Sequence, residues 1–178
     1  MGEQTTWSGG SQPDRLPRQV TAKIYPTHPT HPTHPTYVPC MRFEQLSVGQ
    51  TAVISETITD SHITRFADLS GDRNPLHLDD AWAAKTRFGG RIAHGALTAG
   101  LISRVLGVEL PGTGAVYLSQ SCKFLGPVRP GDTIEARAEV MHLDAARKRV
   151  KLRTTCTNQR GETVVDGEAL MLIDDVPA

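Results

Sequence analysis

Asp72 and His77 are the pair of side chains in this sequence best suited to chemistry, and they lie five residues apart in "SGDRNPLHL" (70–78). Pro75 fixes its own φ and pushes Asn74 toward an extended conformation, so the segment can hold two side chains at a set separation. A carboxylate and an imidazole held in this way can move a proton through one bound water. From the spacing alone, an Asp cap beside a packed histidine is the simpler interpretation, because Asp-x-x-x-x-His arises often by chance.

The segment Arg91–Gly95 is the second candidate, because it immediately precedes a predicted apolar helix. Gly95 falls at or near the N-cap of this helix, where a free backbone N–H, backed by the helix dipole, can bind a developing oxyanion. Glycine also allows a ligand to approach without a Cβ in the way. A simple glycine cap and a structural role for His94 remain the alternatives for these two residues.

The hydrophobic pattern places both segments among the helices of an α+β domain. Alternating apolar residues and turn signals predict five strands, at 51–58, 115–125, 133–143, 149–158 and 163–173. Helices are predicted from 59 or 60 to 70, from 79 or 80 to about 87, and over 96–106, with a loop at 72–78. This order predicts one curved antiparallel sheet wrapped around one long helix.

The helix predicted at Ala96–Leu106 is apolar on nearly every side, which is typical of a buried helix. Gly107 is predicted to end it, with Pro111 shortly beyond. One five-stranded sheet covers only part of such a helix. We therefore expect a homodimer in which the sheets join edge to edge and bring two central helices together, and further pairing of dimers remains open.

Composition and charge exclude several classes of protein. Lys+Arg and Asp+Glu are both 19 in 178 residues, and a net charge of zero argues against a general nucleic-acid or membrane-surface binder. The three cysteines, Cys40, Cys122 and Cys156, are too far apart for a disulfide framework or a zinc site. No apolar run reaches the length of a membrane span, and the N-terminus lacks the apolar core of a signal peptide. These features predict a cytoplasmic protein with reduced thiols.

Residues 1–40 differ from the rest, because they are rich in Gly, Pro, Thr, Gln and Ser and have few aliphatic side chains. Pro-Thr-His occurs three times over 26–34, and proline at every third residue favours a polyproline-like strand. Such a strand would place His28, His31 and His34 on one side, which allows a metal-binding tail. We predict an inert, disordered tail over 1–40 and one domain over 41–178, since imidazoles on an open strand lack the supporting contacts of a metal site.

The motifs together show a family resemblance. "GDRNPLH", followed about seventeen residues later by "AHGAL", is similar to the MaoC-like hydratases, the (R)-specific enoyl-CoA hydratase group of the hot-dog fold. The similarity continues through "GTGAVYLSQSCKFLGPVRPGD" and the closing strands, over roughly residues 41–173. Residues 1–40 match nothing in this family, so the resemblance gives the tail no role.

The resemblance implies specific roles for the candidate residues. Asp72 and His77 would be the catalytic pair, Asn74 would orient the loop or the water, and Gly95 would supply the oxyanion N–H. The matching position on the central helix is Ser103, which would line the acyl site; His94 and Pro75 are predicted as further substrate contacts. The family's pocket lies between two protomers, and its substrate is an acyl group on the phosphopantetheine arm of coenzyme A or acyl carrier protein. No metal or redox cofactor is required.

The predicted activity is that of a carbon–oxygen lyase, a hydratase that adds water to a trans-2-enoyl-CoA to give an (R)-3-hydroxyacyl-CoA. His77 would act as the base while Asp72 holds the water and relays the proton, although the reverse assignment remains open. One alternative is the reverse reaction, dehydration of 3-hydroxyacyl-carrier protein in fatty-acid synthesis. A non-catalytic thioester-binding subunit is a second alternative, which the intact Asp, Asn and His set disfavours, and a thioesterase is a weaker third.

Overall fold

Residues 41–173, which the computed structural model describes, form a mixed α and β domain. Its elements are β1 (Thr51–Thr57), α1 (Asp60–Ser70), α2 (Pro75–Leu78), α3 (Asp80–Ala83), α4 (Gly95–Arg104), β2 (Ala115–Phe124), β3 (Thr133–Asp144), β4 (Arg149–Asn158) and β5 (Thr163–Ile173), with a 3-10 turn at Phe43–Gln45. The predicted tail at 1–40, with Cys40, and residues 174–178 lie outside the described residues. Within 41–173, no helix is both long and apolar enough to cross a membrane.

The five strands form one antiparallel sheet in the order β1-β3-β4-β5-β2. Alternate side chains of the central strands are buried against α4; in β4 these include Val150, Leu152 and Cys156. Ile102 on α4 is fully buried in the same core, and the Cys156 thiol lies 3.8 Å from the carbonyl oxygen of Thr98. The predicted sheet around a central helix is therefore confirmed.

The ends of α1 follow the local sequence. The Thr59 hydroxyl accepts a hydrogen bond from the backbone N–H of His62, which caps the first turn. Gly71 adopts the left-handed conformation, with φ of 77°, and its N–H donates to the carbonyl of Ala67. Both ends agree with the sequence prediction and fix where the Asp72 segment begins.

Two short segments differ from the prediction. Residues 72–78 were expected to be a loop, but Pro75–Leu78 forms one helical turn with proline at its first position, which proline's fixed φ favours. The helix expected to reach about Arg87 ends at Ala83, where the chain turns toward Gly89. His77 is therefore held on a helical turn rather than on a loop.

The central helix also differs from the prediction. It does not stop at Gly107 but continues as a π-helical segment over Val105–Glu109, because Val105 and Leu110 remain in the core. Within the single chain the sheet covers one side of this helix only, as the sequence analysis expected. The side opposite to the core is exposed at Ala96, Gly100, Ser103 and Arg104.

Candidate active site

The segment after α1 is shaped by successive side-chain to backbone hydrogen bonds. The N–H of Asp72 donates to the Ser70 hydroxyl at 3.2 Å, and the N–H of Asn74 donates to Asp72 Oδ1 at 3.2 Å. The Asn74 side chain in turn accepts from the N–H of Leu76 at 3.0 Å and caps α2. Turns of this kind restrict the backbone, so the Asp72 carboxylate has a defined place although it is exposed.

His77 is buried on α2, and its Nδ1 lies 2.8 Å from the carbonyl oxygen of Ile92. A carbonyl oxygen only accepts hydrogen bonds, so Nδ1 carries the proton of the neutral ring. The other nitrogen, Nε2, then presents a lone pair. This tautomer is the one that a general base requires, and a backbone carbonyl fixes it.

His94 is the N-cap residue of α4 and is only 2% exposed. Its Nε2 lies 3.0 Å from the carbonyl oxygen of Asp72, and its ring lies against that of His77 with the centroids 3.8 Å apart and the planes 32° apart. One donor atom from each of Asp72, His77 and His94 lies within 4.8 Å of the other two. The fold thus brings two predicted segments, separated by about twenty residues, to one point.

The same three side chains form the candidate metal-ligating cluster within residues 41–173. The two imidazoles pack against each other with their planes tilted by 32°, whereas the lone pairs that bind a metal lie in the ring planes. In each ring the nitrogen that faces a backbone carbonyl donates to it, which leaves the other nitrogen with the lone pair. The packing of one ring against the other, and not these hydrogen bonds, is what disfavours a shared ion.

Gly95 is the first residue of α4, where a backbone N–H has no partner within the helix. A Cβ built on Gly95 would lie 2.9 Å from Cε1 of Phe124, at the end of β2. Glycine therefore also makes room for the Phe124 ring, a contact that the sequence analysis missed. The sequence offered one signal for this contact: Phe124 is an aromatic residue at the end of the strand predicted at 115–125, within the stretch that resembles the family.

Of the other predicted site residues, Asn74 and Pro75 lie beside this point and Ser103 lies apart from it. Pro75 is exposed at the start of α2, and Asn74 caps the same turn. Ser103 lies on the exposed side of α4, eight residues from Gly95, or about 12 Å along the helix axis at 1.5 Å per residue. Within one chain Ser103 is thus remote from the Asp72 and His77 pair.

An apolar groove of about 330 Å³ lies between α1, α4 and the end of β1. It is lined by Glu56, Ile58, His62, Arg65, Phe66, Leu69, Leu97 and Leu101. Phe66 also contacts the His94 ring, with the centroids 4.9 Å apart, so this groove borders the candidate site.

The fold and the site define the class: a hot-dog domain with a carboxylate and an imidazole placed beside the N-terminus of its central helix. The chain belongs to the MaoC-like domain family, whose model matches residues 45–161.

Similar proteins carry names from one reaction class. The 3-hydroxybutyryl-CoA dehydratase of Methylorubrum extorquens is 51% identical over 131 residues, which cover 74% of this chain and 83% of that protein. The (R)-specific enoyl-CoA hydratase of Rhodospirillum rubrum is 49% identical over 131 residues, with 74% and 90% covered. Among solved structures, the (R)-hydratase of A. caviae has a TM-score of 0.72 and 43% identity, covering 74% of this chain and 99% of that one. The predictions of the family, the hot-dog fold and a carbon–oxygen lyase are confirmed.

Proposed function

We propose that this protein adds water to trans-2-enoyl-CoA thioesters and forms (R)-3-hydroxyacyl-CoA, with Asp72 and His77 as the catalytic pair. The observation that carries the proposal is the convergence of these two side chains beside Gly95, with His77 in the tautomer that leaves Nε2 free to accept a proton. The names of the two similar proteins described above support this reaction class.

The reaction needs three things that this geometry can provide. The water oxygen bonds to C3 while His77 Nε2 accepts a proton from that water. The π electrons of the C2–C3 bond move toward the thioester, and the charge on its oxygen is stabilised by the N–H of Gly95. Asp72 holds the water and passes the proton that His77 took from it on to C2, so one molecule of water is added in total and both side chains return to their starting states. His77 is the better candidate for the base, because its free nitrogen follows directly from its hydrogen bond to Ile92.

The proposal includes a homodimer. β2 lies at one end of the sheet, and along it Val116, Tyr117 and Leu118 are exposed within the chain. A row of exposed apolar side chains on a sheet edge is the usual sign of a pairing surface. Joining two copies there would also cover the exposed side of α4. We further propose a cytoplasmic location, in keeping with the free thiols of Cys122 and Cys156.

Dehydration of a 3-hydroxyacyl thioester is the second candidate, because the similar protein of Methylorubrum extorquens is named for that direction. The same acid and base serve both directions, since a catalyst accelerates a reaction and its reverse alike. Acyl carrier protein as the carrier, and thioester binding without catalysis, are the remaining alternatives.

An absorbance assay with crotonyl-CoA and longer enoyl-CoAs tests the proposal. We expect loss of the conjugated double bond, a product oxidised by an (R)-specific but not an (S)-specific 3-hydroxyacyl-CoA dehydrogenase, and strongly reduced turnover in His77→Ala. Unchanged absorbance with every enoyl-CoA, in a protein that still binds them, would favour a binding module. Turnover restricted to enoyl-carrier protein would favour the fatty-acid synthesis enzyme.

A further inference from the structure

The proposed reaction gives no role to the imidazole of His94, although it is the most buried polar ring of the site, at 2% exposure. Its Nε2 must donate to the carbonyl oxygen of Asp72, so the neutral ring has its lone pair on Nδ1. Nδ1 is the buried side-chain nitrogen that has no hydrogen-bond partner among the described residues. A polar ring kept in a core with one atom unpartnered calls for a reason other than stability.

The contacts of His94 reach both members of the proposed pair. One edge of the ring donates a hydrogen bond to the backbone of Asp72, and one face packs against the ring of His77. The other hydrogen bonds of Asp72 are local, to Ser70 and Asn74, so of these bonds the one to His94 joins Asp72 itself to the start of α4, while α2 is joined to the same stretch through Ile92. His77 is held at Nδ1 by Ile92, and the face contact limits rotation of its ring about that bond.

We propose that His94 is a positioning residue, which sets the separation between the Asp72 carboxylate and His77 Nε2 without itself touching the substrate. This inference rests on the proposed function, because it assigns His94 a role in the same reaction. This positioning role replaces the substrate contact predicted for His94. The ring is almost wholly buried, and one face and one edge already make contacts, so it offers a ligand little surface. A misplacement of about 1 Å at such a pair lowers turnover on the order of 10²-fold.

Two substitutions separate the two contacts. His94→Phe keeps a ring that can pack against His77 but removes the donor to Asp72. His94→Gln removes the aromatic face but can place an amide N–H close to the position of Nε2. We expect each to lower kcat, His94→Phe on the order of 10²-fold and His94→Gln less, with KM changed by no more than about twofold. His142→Gln, at an exposed histidine of β3, is the matched control and should behave as the parent.

A double-mutant cycle measures the coupling in kcat between His94 and His77, and a merely structural role for His94 would give no such coupling. His94→Phe should cost less in a His77→Ala background than in the parent, because part of its effect acts through His77. The inference would be overturned if His94→Phe lowered kcat by the same factor in both backgrounds, or if both His94 variants kept the kcat of the parent. Circular dichroism and the melting temperature check folding, and if His94→Phe does not fold, His94→Gln carries the same cycle. Inactivity of the parent enzyme would instead contradict the proposed function, so the two failures are distinguishable.

Discussion

Single residues in this site owe their chemistry to the backbone groups around them. The carbonyl of Ile92 selects the tautomer of His77, and the N–H of Asn74 holds one carboxylate oxygen of Asp72. If the two side chains act on one water as a unit, Asp72→Ala and His77→Ala should each lower kcat by roughly 10²–10⁴-fold. The double variant should fall little further, because groups that act together are strongly non-additive. Steady-state kinetics with crotonyl-CoA measures all three.

Asp72→Asn is the finer control for this pair. Asparagine keeps the shape and can still accept from the N–H of Asn74, but it cannot take up the proton. It should bind enoyl-CoA normally and turn it over slowly. Single losses that multiply in the double variant would indicate two independent roles, and near-normal turnover in Asp72→Asn would leave Asp72 as a residue that only shapes the segment.

Gly95 has two possible reasons for lacking a side chain, and they can be separated. Gly95→Val should lower kcat by roughly 10²–10³-fold, as for a lost oxyanion donor, because its branched side chain blocks the approach to the N–H. It also crowds the ring of Phe124, which a Cβ would approach to 2.9 Å. Adding Phe124→Leu relieves the crowding, with Phe124→Leu alone as the reference.

A loss that persists in the Gly95→Val, Phe124→Leu double variant supports the oxyanion role. Recovery of kcat in that variant would mean that glycine serves only to seat Phe124. A Gly95→Val enzyme with the kcat of the parent and a lowered melting temperature would reduce Gly95 to a helix cap.

At the scale of elements, the sequence predicted those parts whose signals are local. Thr59 and Gly71 mark the ends of α1, and the alternation of β4 predicts which side chains are buried. The turn Pro75–Leu78 was missed because four residues are too few to show helical periodicity. The helical residues after Leu106 were missed because Gly107 is a common helix stop, whereas tertiary burial of Leu106 and Leu110 keeps the chain helical to Glu109.

The candidate site was predictable in its residue types but not in its contacts. Asp72 and His77 stand out by their residue types on a rigid segment and by the family resemblance, whereas their spacing alone would also fit an Asp cap beside a packed histidine. The hydrogen bond from His77 to the backbone carbonyl of Ile92 leaves no signal in the sequence, because every residue has a backbone carbonyl. The packing of His94 on His77 depends on how α4 meets α2, which is a property of the tertiary fold and not of either segment.

Asp132 shows how one side chain connects two turns, its own before β3 and the one between β4 and β5. It accepts hydrogen bonds from the N–H of Arg129 and from the side chains of Gln159 and Arg160. Burial raises the pKa of Asp132, but these hydrogen bonds outweigh burial and hold its pKa below the ordinary value. Because the folded pKa is depressed, the carboxylate stabilises the fold above its unfolded pKa, near 4, and this contribution is lost as the pH falls through the folded pKa.

We therefore expect Asp132→Asn to lower the melting temperature at pH 7 and to differ progressively less from the parent below about pH 4. Thermal melts of both proteins from about pH 2 to about pH 8, a range that spans the titration of carboxylates, measure the difference. Asp68→Asn, at an exposed aspartate of α1 paired with Arg73, is the control and should change stability little. A constant difference between Asp132→Asn and parent over the whole range would show that shape, not charge, matters at this turn.

At the scale of the whole molecule, the sequence of residues 1–40, the predicted tail, differs sharply in composition from that of the described domain at 41–173. All the side chains of the proposed site lie between Asp72 and Ser103. Because the sequence of 1–40 offers little apolar surface to bury, removing it should leave kcat and the melting temperature unchanged. A truncated protein that loses activity or its oligomeric state would show that the tail is structural.

The proposed dimer depends on the edges of the sheet. β1 and β2 are the two end strands, and each carries an exposed valine of similar accessibility, Val53 at 42% and Val116 at 44%. We expect light scattering at micromolar concentration to give twice the mass of one 19.3 kDa chain. Val116→Lys should yield monomers and lower activity, because a lysine on the pairing edge of β2 opposes its partner copy. Val53→Lys, at the other edge, should remain dimeric. Monomers from Val53→Lys alone would move the interface to β1, and a fully active monomeric parent would contradict the dimer altogether.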